Sequence, residues 1–211
     1  MSNPIGVTSH YKTMFRATPD SPAMFQSRII DVFSRTHFLV VPLLFVPAVI
    51  ALAAYSISSA RVSGLDTALL IGAGALTWTF VEYVAHRLVF HWEAPGPWGQ
   101  RLHFLIHGVH HQWPNDRYRL VMPPAVSIFL FVTFLWLFSA LMGRFGWAFH
   151  GGFTLGYMYY DLTHYYLHHG RPRNPYLRRL RKHHMIHHFK GSGSRFGVSS
   201  KFWDYVFQTS E

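Results

Sequence analysis

Uncharged runs constrain this chain more than any other feature. Residues Thr36 to Ala60 and Leu120 to Gly143 carry no Asp, Glu, Lys or Arg, with FLVVPLLFVPAVIALAAYS in the first and VSIFLFVTFLWLFSALM in the second. Each exceeds the roughly 20 residues needed to cross about 30 Å of hydrocarbon at 1.5 Å per residue. Pro42 and Pro47 are predicted to kink the first run, and Pro123 and Pro124 to stand at the entry of the second. Two shorter runs, Thr67 to Val81 and Phe145 to Tyr160, each lead to an acidic residue, Glu82 or Asp161, and then to histidines. The prediction is an all-α integral membrane protein with about four transmembrane helices, over about 38–59, 66–86, 120–142 and 145–164. Their inner ends continue into a cytoplasmic, helical, histidine-rich head for two metals, from 86–119 and 164–211. A polar or interfacial arm, 1–35, precedes this 36–211 membrane domain. The arm lacks the apolar stretch of a signal peptide.

Composition supports the membrane reading. Only 13% of the residues are charged and 50% are hydrophobic, whereas a soluble domain carries about 25% charged residues. The absence of cysteine excludes disulfides, zinc-thiolate sites, iron–sulfur clusters and a cysteine nucleophile. Sixteen histidines against nine carboxylates argue against a carboxylate-rich di-iron bundle. Of 19 Lys and Arg residues, only Arg61 and Arg144 fall in the two short turns between expected spans. By the positive-inside rule the opposite side, with both termini, is cytoplasmic. The basic stretch RPRNPYLRRLRKHH, from Arg171 to His184, is read as meeting anionic membrane lipids, with no nucleic acid as a partner.

The histidines fall into two matching sets. His86 and His91 are followed by the box HGVHH, with His107, His110 and His111; His164 and His168 are followed by HMIHH, with His184, His187 and His188. Hairpin, pair and triplet thus occur twice, as two half-sites facing each other would require. Positions three and four apart share a helix face, so each triplet is expected to aim its three imidazoles at one place. His86 and His91, five apart, do not share a face unless the helix bends or ends between them. Ten imidazoles exceed the four ligands of one tetrahedral ion. Two ions with about five each use them all and leave an open position. Imidazole suits iron, zinc, copper and nickel. A redox metal beside saturated lipid chains suggests oxygenation. His10, His37 and His150 are expected to be hydrogen-bonded core residues, and His103, His169 and His183 to be neighbours of the motifs rather than ligands.

The motifs EYVAHRLVFH, FLIHGVHHQWPNDRYRLVMPP, YDLTHYYLHH and HHMIHHFKGSGSRFGVSSKFWDYVF resemble the fatty acid hydroxylase and sterol desaturase superfamily, over about Thr79 to Thr209. The segment with Pro114, Asp116, Arg119 and the MPP ending resembles the fatty acyl 2-hydroxylase branch, as does the closing FGVSSKFWDYVF. The resemblance implies ten metal ligands at His86, His91, His107, His110, His111, His164, His168, His184, His187 and His188. It also implies roles for Tyr160 and Asp161 in orienting an imidazole or shaping a substrate tunnel, and Glu82 is a similar candidate.

The resemblance further implies a di-iron, O2-dependent monooxygenase hydroxylating C2 of a fatty acyl chain, free or lipid-linked, with zinc able to replace iron on purification. The polar head of that lipid is expected near Asn115, Asp116, Arg117, Tyr118 and Arg119. Many eukaryotic relatives begin with a small cytochrome domain. About thirty-five residues precede the first span here, so a separate redox protein is expected to deliver electrons, and a bacterial inner membrane is expected ahead of an endoplasmic reticulum. The competing readings are a sterol or carotenoid hydroxylase, a desaturase on the same metals and, more remotely, a metal transporter or haem protein.

Overall fold

A computed structural model describes residues 20, 21, 23–92 and 95–211. Most of the expected N-terminal arm, with His10, lies outside them. The described residues are helical, with no β-strand. The helices are α1 (Arg28–Phe33), α2 (Val40–Ser58), α3 (Gly64–Ala85), α4 (Gly96–His103), α5 (Val109–Gln112), α6 (Pro124–Met142), α7 (Gly146–His169), α8 (Pro175–Lys190) and α9 (Phe202–Val206).

Local sequence explains most of the boundaries. The Ser63 hydroxyl accepts from the Asp66 N–H to cap α3, and Asn174 caps α8 through the Tyr176 and Leu177 N–H groups. Pro124 and Pro175 occupy first helical positions, where a missing N–H costs nothing. Pro42 falls in the first turn of α2, and Pro47 lies inside that helix. Helix α6 ends at Gly143, whose φ of 55° lies in the left-handed region.

Among the described residues, three helical stretches are long and apolar enough to cross a membrane: Val40–Ser58, Gly64–Phe90 and Pro124–His169. The third is a hairpin. Phe134 packs on Phe153 and Phe138 on Phe149, so residue numbers rise on one arm as they fall on the other. Helix α7 occupies the centre and packs against α2, α3 and α6. Contact with α3 is close enough to need bare backbone. A Cβ at Gly152 would lie 1.9 Å from the Ile71 carbonyl oxygen, and one at Gly74 would lie 2.0 Å from that of Phe149.

Leu43, Ile50, Leu69, Leu76, Phe129 and Trp136 are exposed on the outer helices. Apolar surface of this extent on spanning helices faces lipid.

The start of α2, the end of α3, the start of α6 and the end of α7 lie at one end of the bundle. Thr36 N–H donates to the Tyr118 carbonyl there, at 2.7 Å. At the same end Asp31 is buried in α1 and pairs with Arg119 at 2.8 Å and Arg35 at 3.0 Å. Burial pushes the Asp31 carboxyl up, but the Met24 N–H and the two guanidiniums outweigh it and hold the pKa below the ordinary value. Asp116 is also buried, 3.6 Å from Arg119. These charges are consumed inside the protein, because buried charges need partners. Of the loop expected to meet a lipid head, only Arg117 and Tyr118 are exposed.

Candidate metal centre

The structure gathers ten histidines into two groups of five. His86, His91, His107, His111 and His187 form one; His110, His164, His168, His184 and His188 form the other. Within each group the ligand atoms lie within 4.8 Å of one another. All ten are buried or half-buried; His86 and His91 lie at the end of the α3 stretch, His164 and His168 at the end of α7, and the other six on the helical segment 104–112 and on α8.

Each group draws on both halves of the chain, which corrects the expectation that each HxxHH box serves one place. In an α-helix, positions i and i+4 are about 40° apart, while i+3 and i+4 diverge by about 100°. His107 and His111 therefore point together, and His110 points across to the other group. His184 and His188 likewise stay together, while His187 crosses back. The His110 ring lies 4.6 Å from those of His164, His168 and His188, but 5.7 Å and 5.9 Å from its box-mates His107 and His111.

The pair His86 and His91 is brought together where the helix ends, in a wider final turn capped by His91. Residues His86–Phe90 form a π turn, with the His91 N–H donating to the His86 carbonyl at 3.3 Å. Five residues along an α-helix place side chains about 140° apart; the wider π turn returns the fifth residue to the same face. A second π turn, Phe104–Gly108, carries His107.

The geometry fits metal ions better than it fits a hydrogen-bonded cluster. In the first group Nε2 atoms follow one another at 3.0 Å (His187–His91), 3.1 Å (His91–His86), 3.1 Å (His86–His107) and 2.9 Å (His107–His111). The rings of His86 and His187 direct Nδ1 at the carbonyls of Phe196 and Ser194, so in the neutral form each keeps its proton there and presents a bare lone pair at Nε2. His91, placed between those two acceptors, has only one proton to give. A cation among the lone pairs resolves the conflict. With metal–nitrogen bonds of about 2.1 Å, ligands at right angles are about 3.0 Å apart and tetrahedral ones about 3.4 Å. The observed spacing fits the former, with more than four ligands per ion.

In the second group His168, His184, His188 and His110 are linked by Nε2 separations of 2.9, 3.1 and 3.1 Å. The His111 and His188 rings stack at 4.1 Å and join the groups.

Electrostatics favour the neutral, ligating form. Burial, followed by repulsion from neighbouring imidazoles, holds His107, His110, His111, His184 and His188 well below the ordinary imidazole range. Burial brings His187 down to about 4, although the Ser194 carbonyl opposes it.

The remaining polar candidates hold backbone or pack on a ring. The Asp161 carboxylate accepts from the Tyr157 hydroxyl at 2.9 Å and the Met122 N–H at 3.3 Å, and the Tyr160 ring stacks on His164. Glu82 accepts from the N–H groups of Val198 and Ser199 and from the Ser199 hydroxyl. Sequence reasoning missed Asp204, which is fully buried and accepts from His183, Thr209 and the Phe196 and Gly197 N–H groups. The signal available was a lone acid in the apolar run FWDYVF. His37 is exposed, contrary to the core role expected of it. His150 is buried among phenylalanines, but neither ring nitrogen has a hydrogen-bond partner among the described residues.

Comparison with known proteins agrees with this geometry. The family model described as fatty acid hydroxylase matches residues 71–209. The chain is 37% identical over 195 residues to dihydroceramide fatty acyl 2-hydroxylase FAH2 of Arabidopsis thaliana, covering 90% of this chain and 80% of that one. It is 39% identical over 208 residues to fatty acid 2-hydroxylase of Mus musculus, covering 88% of this chain and 56% of the relative. A solved structure titled full-length scs7p, with only the hydroxylase domain visible, matches with a TM-score of 0.80 and 36% identity, over 86% of this chain and 69% of that one. The curated relatives come from plants, mammals and yeasts. Their eukaryotic origin overturns the expected bacterial inner membrane, while the integral-membrane character stands.

Proposed function

We propose how this chain, which belongs to the fatty acid hydroxylase family, carries out its membrane-bound, O2-dependent hydroxylation at C2 of a fatty acyl chain. The observation that carries the reading is the pair of five-imidazole groups at the inner ends of apolar helices. The ten histidines are assigned as the ligands of two ions, and iron is the metal whose redox chemistry matches the reaction. When bound, iron supplies the oxidising power to activate dioxygen. One oxygen atom is inserted into the C2–H bond; the other leaves as water, with two electrons from a separate redox protein and two protons from water. Zinc, favoured over iron by the affinity order of such ligands, can fill the same positions on purification.

The chain's own share is positional. His86 and His187 are held in one tautomer by backbone carbonyls, so their lone pairs are preorganised. Asp161 ties the entry of α6 to α7, and with Tyr160 beside His164 it is proposed to shape the path of the acyl chain. The proposed organisation follows the same division, with a membrane unit over 36–211 and the head carried by 86–119 and 164–211. The names of the plant and fission-yeast relatives point to an acyl chain in amide linkage within a ceramide-type lipid as the substrate.

Mass spectrometry of hydrolysed acyl chains, from cells with and without the protein, tests the reading. A new 2-hydroxy acid, absent when His164 and His168 are replaced by alanine, is the expected result. Full activity in that double variant would refute the ligand assignment. A product lacking two hydrogens would replace hydroxylation by desaturation.

A further inference from the structure

The two halves of the centre differ in what stands behind their ligands. In the group around His86, two rings rest on one loop: His86 on the Phe196 carbonyl and His187 on the Ser194 carbonyl. Two buried carboxylates clamp that loop. Glu82 gathers Val198 and Ser199 from the end of α3, and Asp204 gathers Phe196 and Gly197 from α9. Asp204 is itself held by His183 at 2.9 Å and Thr209 at 2.8 Å. The loop is closely packed at Gly197. A Cβ at Gly197 would lie 2.0 Å from the Ser200 carbonyl oxygen and 2.8 Å from Asp204 Oδ2.

Among the described residues, no carboxylate-clamped loop stands behind the other group. The Nδ1 atoms of His110, His184 and His188, and both ring nitrogens of His164, have no hydrogen-bond partner among the described residues. His168 alone has a backbone partner, the Pro114 carbonyl. These five rings are oriented by the helices that carry them and by each other.

We propose that Glu82 and Asp204 are positioning residues for one metal only, and that the two sites consequently release metal at different rates. The site of His86, His91, His107, His111 and His187 is the slow one, because its rings are preorganised through the clamped loop. The proposal rests on the assignment of the ten histidines as ligands. Partners outside the ligand set typically govern metal affinity by about 10–100-fold.

The test uses the full chain in detergent, loaded with zinc and then challenged with a chelator in excess. Wild type is expected to release two equivalents in two phases of equal amplitude. In Glu82→Ala the slow phase accelerates by about 10–100-fold while the fast phase is unchanged. Glu82→Gln, whose amide keeps one acceptor and can donate to the Ser199 oxygen, restores the slow phase. Ser199→Ala removes a single bond and shifts the slow phase in the same direction by less; it decides the matter if Glu82→Ala does not fold. Release of both equivalents in one phase from wild type would overturn the proposal. So would equal acceleration of both phases, or an unaltered slow phase in a folded variant. A wild-type protein that binds fewer than two ions would overturn the ligand assignment itself.

Discussion

Exchange of one histidine between the boxes can be read out by pairing alanine substitutions. His110 is one position from His111 in the chain, yet its ring lies 4.6 Å from His164 and 5.9 Å from His111. If the clustering of ligand atoms defines the sites, His110→Ala with His164→Ala damages a single site, and His110→Ala with His107→Ala damages both. Removing a ligand costs at least as much as disturbing a partner behind it, about 10–100-fold or 1.4–2.7 kcal/mol. Two removals within one site compound to about 10²–10⁴-fold there and leave the second ion at wild-type affinity. Competition against a graded series of chelators, with metal counted per chain, separates the cases. The His110/His164 pair is expected to keep one ion of native affinity, and the His110/His107 pair to keep none. The reverse pattern would show that each box serves its own metal and would refute the exchange.

Other consequences concern stability. His150 is buried against Phe131 without a partner for either nitrogen among the described residues. His150→Phe keeps the shape and removes the unsatisfied groups, so it is expected to be neutral or to stabilise by about 1–3 kcal/mol; a lowered melting temperature would contradict this. Gly152→Ala forces a Cβ to within 1.9 Å of the Ile71 carbonyl oxygen. A loss of about 1–3 kcal/mol is expected from separating α3 and α7, seen as earlier thermal unfolding. Acid should weaken the metal-free protein in a defined window. The folded imidazoles of His107, His110, His111, His184 and His188 lie below their ordinary value near 6.5, and that of His187 at about 4, so below pH 6.5 the unfolded chain binds more protons. Stability is therefore full above pH 6.5 and falls as pH drops toward 4, by up to about 1.4 kcal/mol per pH unit for each such histidine. A melting temperature flat between pH 7 and pH 5 would contradict the buried, neutral state.

What was legible in the sequence is what local periodicity encodes. Long apolar runs report spanning helices because hydrocarbon demands continuous apolar surface. Ten histidines in two matching sets report a metal centre because no apolar core collects that many imidazoles. Two features escaped, for different reasons. The sharing of each box between sites follows from small angular differences on a helix, which matter only once the partner helices are placed. The π turn at His86 leaves only a negative trace: a pair five apart that no straight α-helix can use. The second pair, His164 and His168, four apart on an uninterrupted α7, shows what the first would have been without the inserted residue.

Exchange of His110 and His187 also bears on why the head holds together. Leu167, Leu180 and Val198 anchor it to the main core, a second, smaller cluster is built on Met24, Phe104, Val109 and Trp113, and the chain has no disulfide to brace it. With the ten histidines as ligands, neither half of the chain completes a site alone. The ion beside His86 takes its fifth imidazole from α8, and the ion beside His164 takes one from α5. Each metal then ties these elements together in addition to their apolar packing, so metal affinity becomes part of the folding energy of the head. A hydroxylase of this design loses its active site and the order of its head in the same step, which is why the two ions and the clamped loop behind one of them belong to a single structural problem.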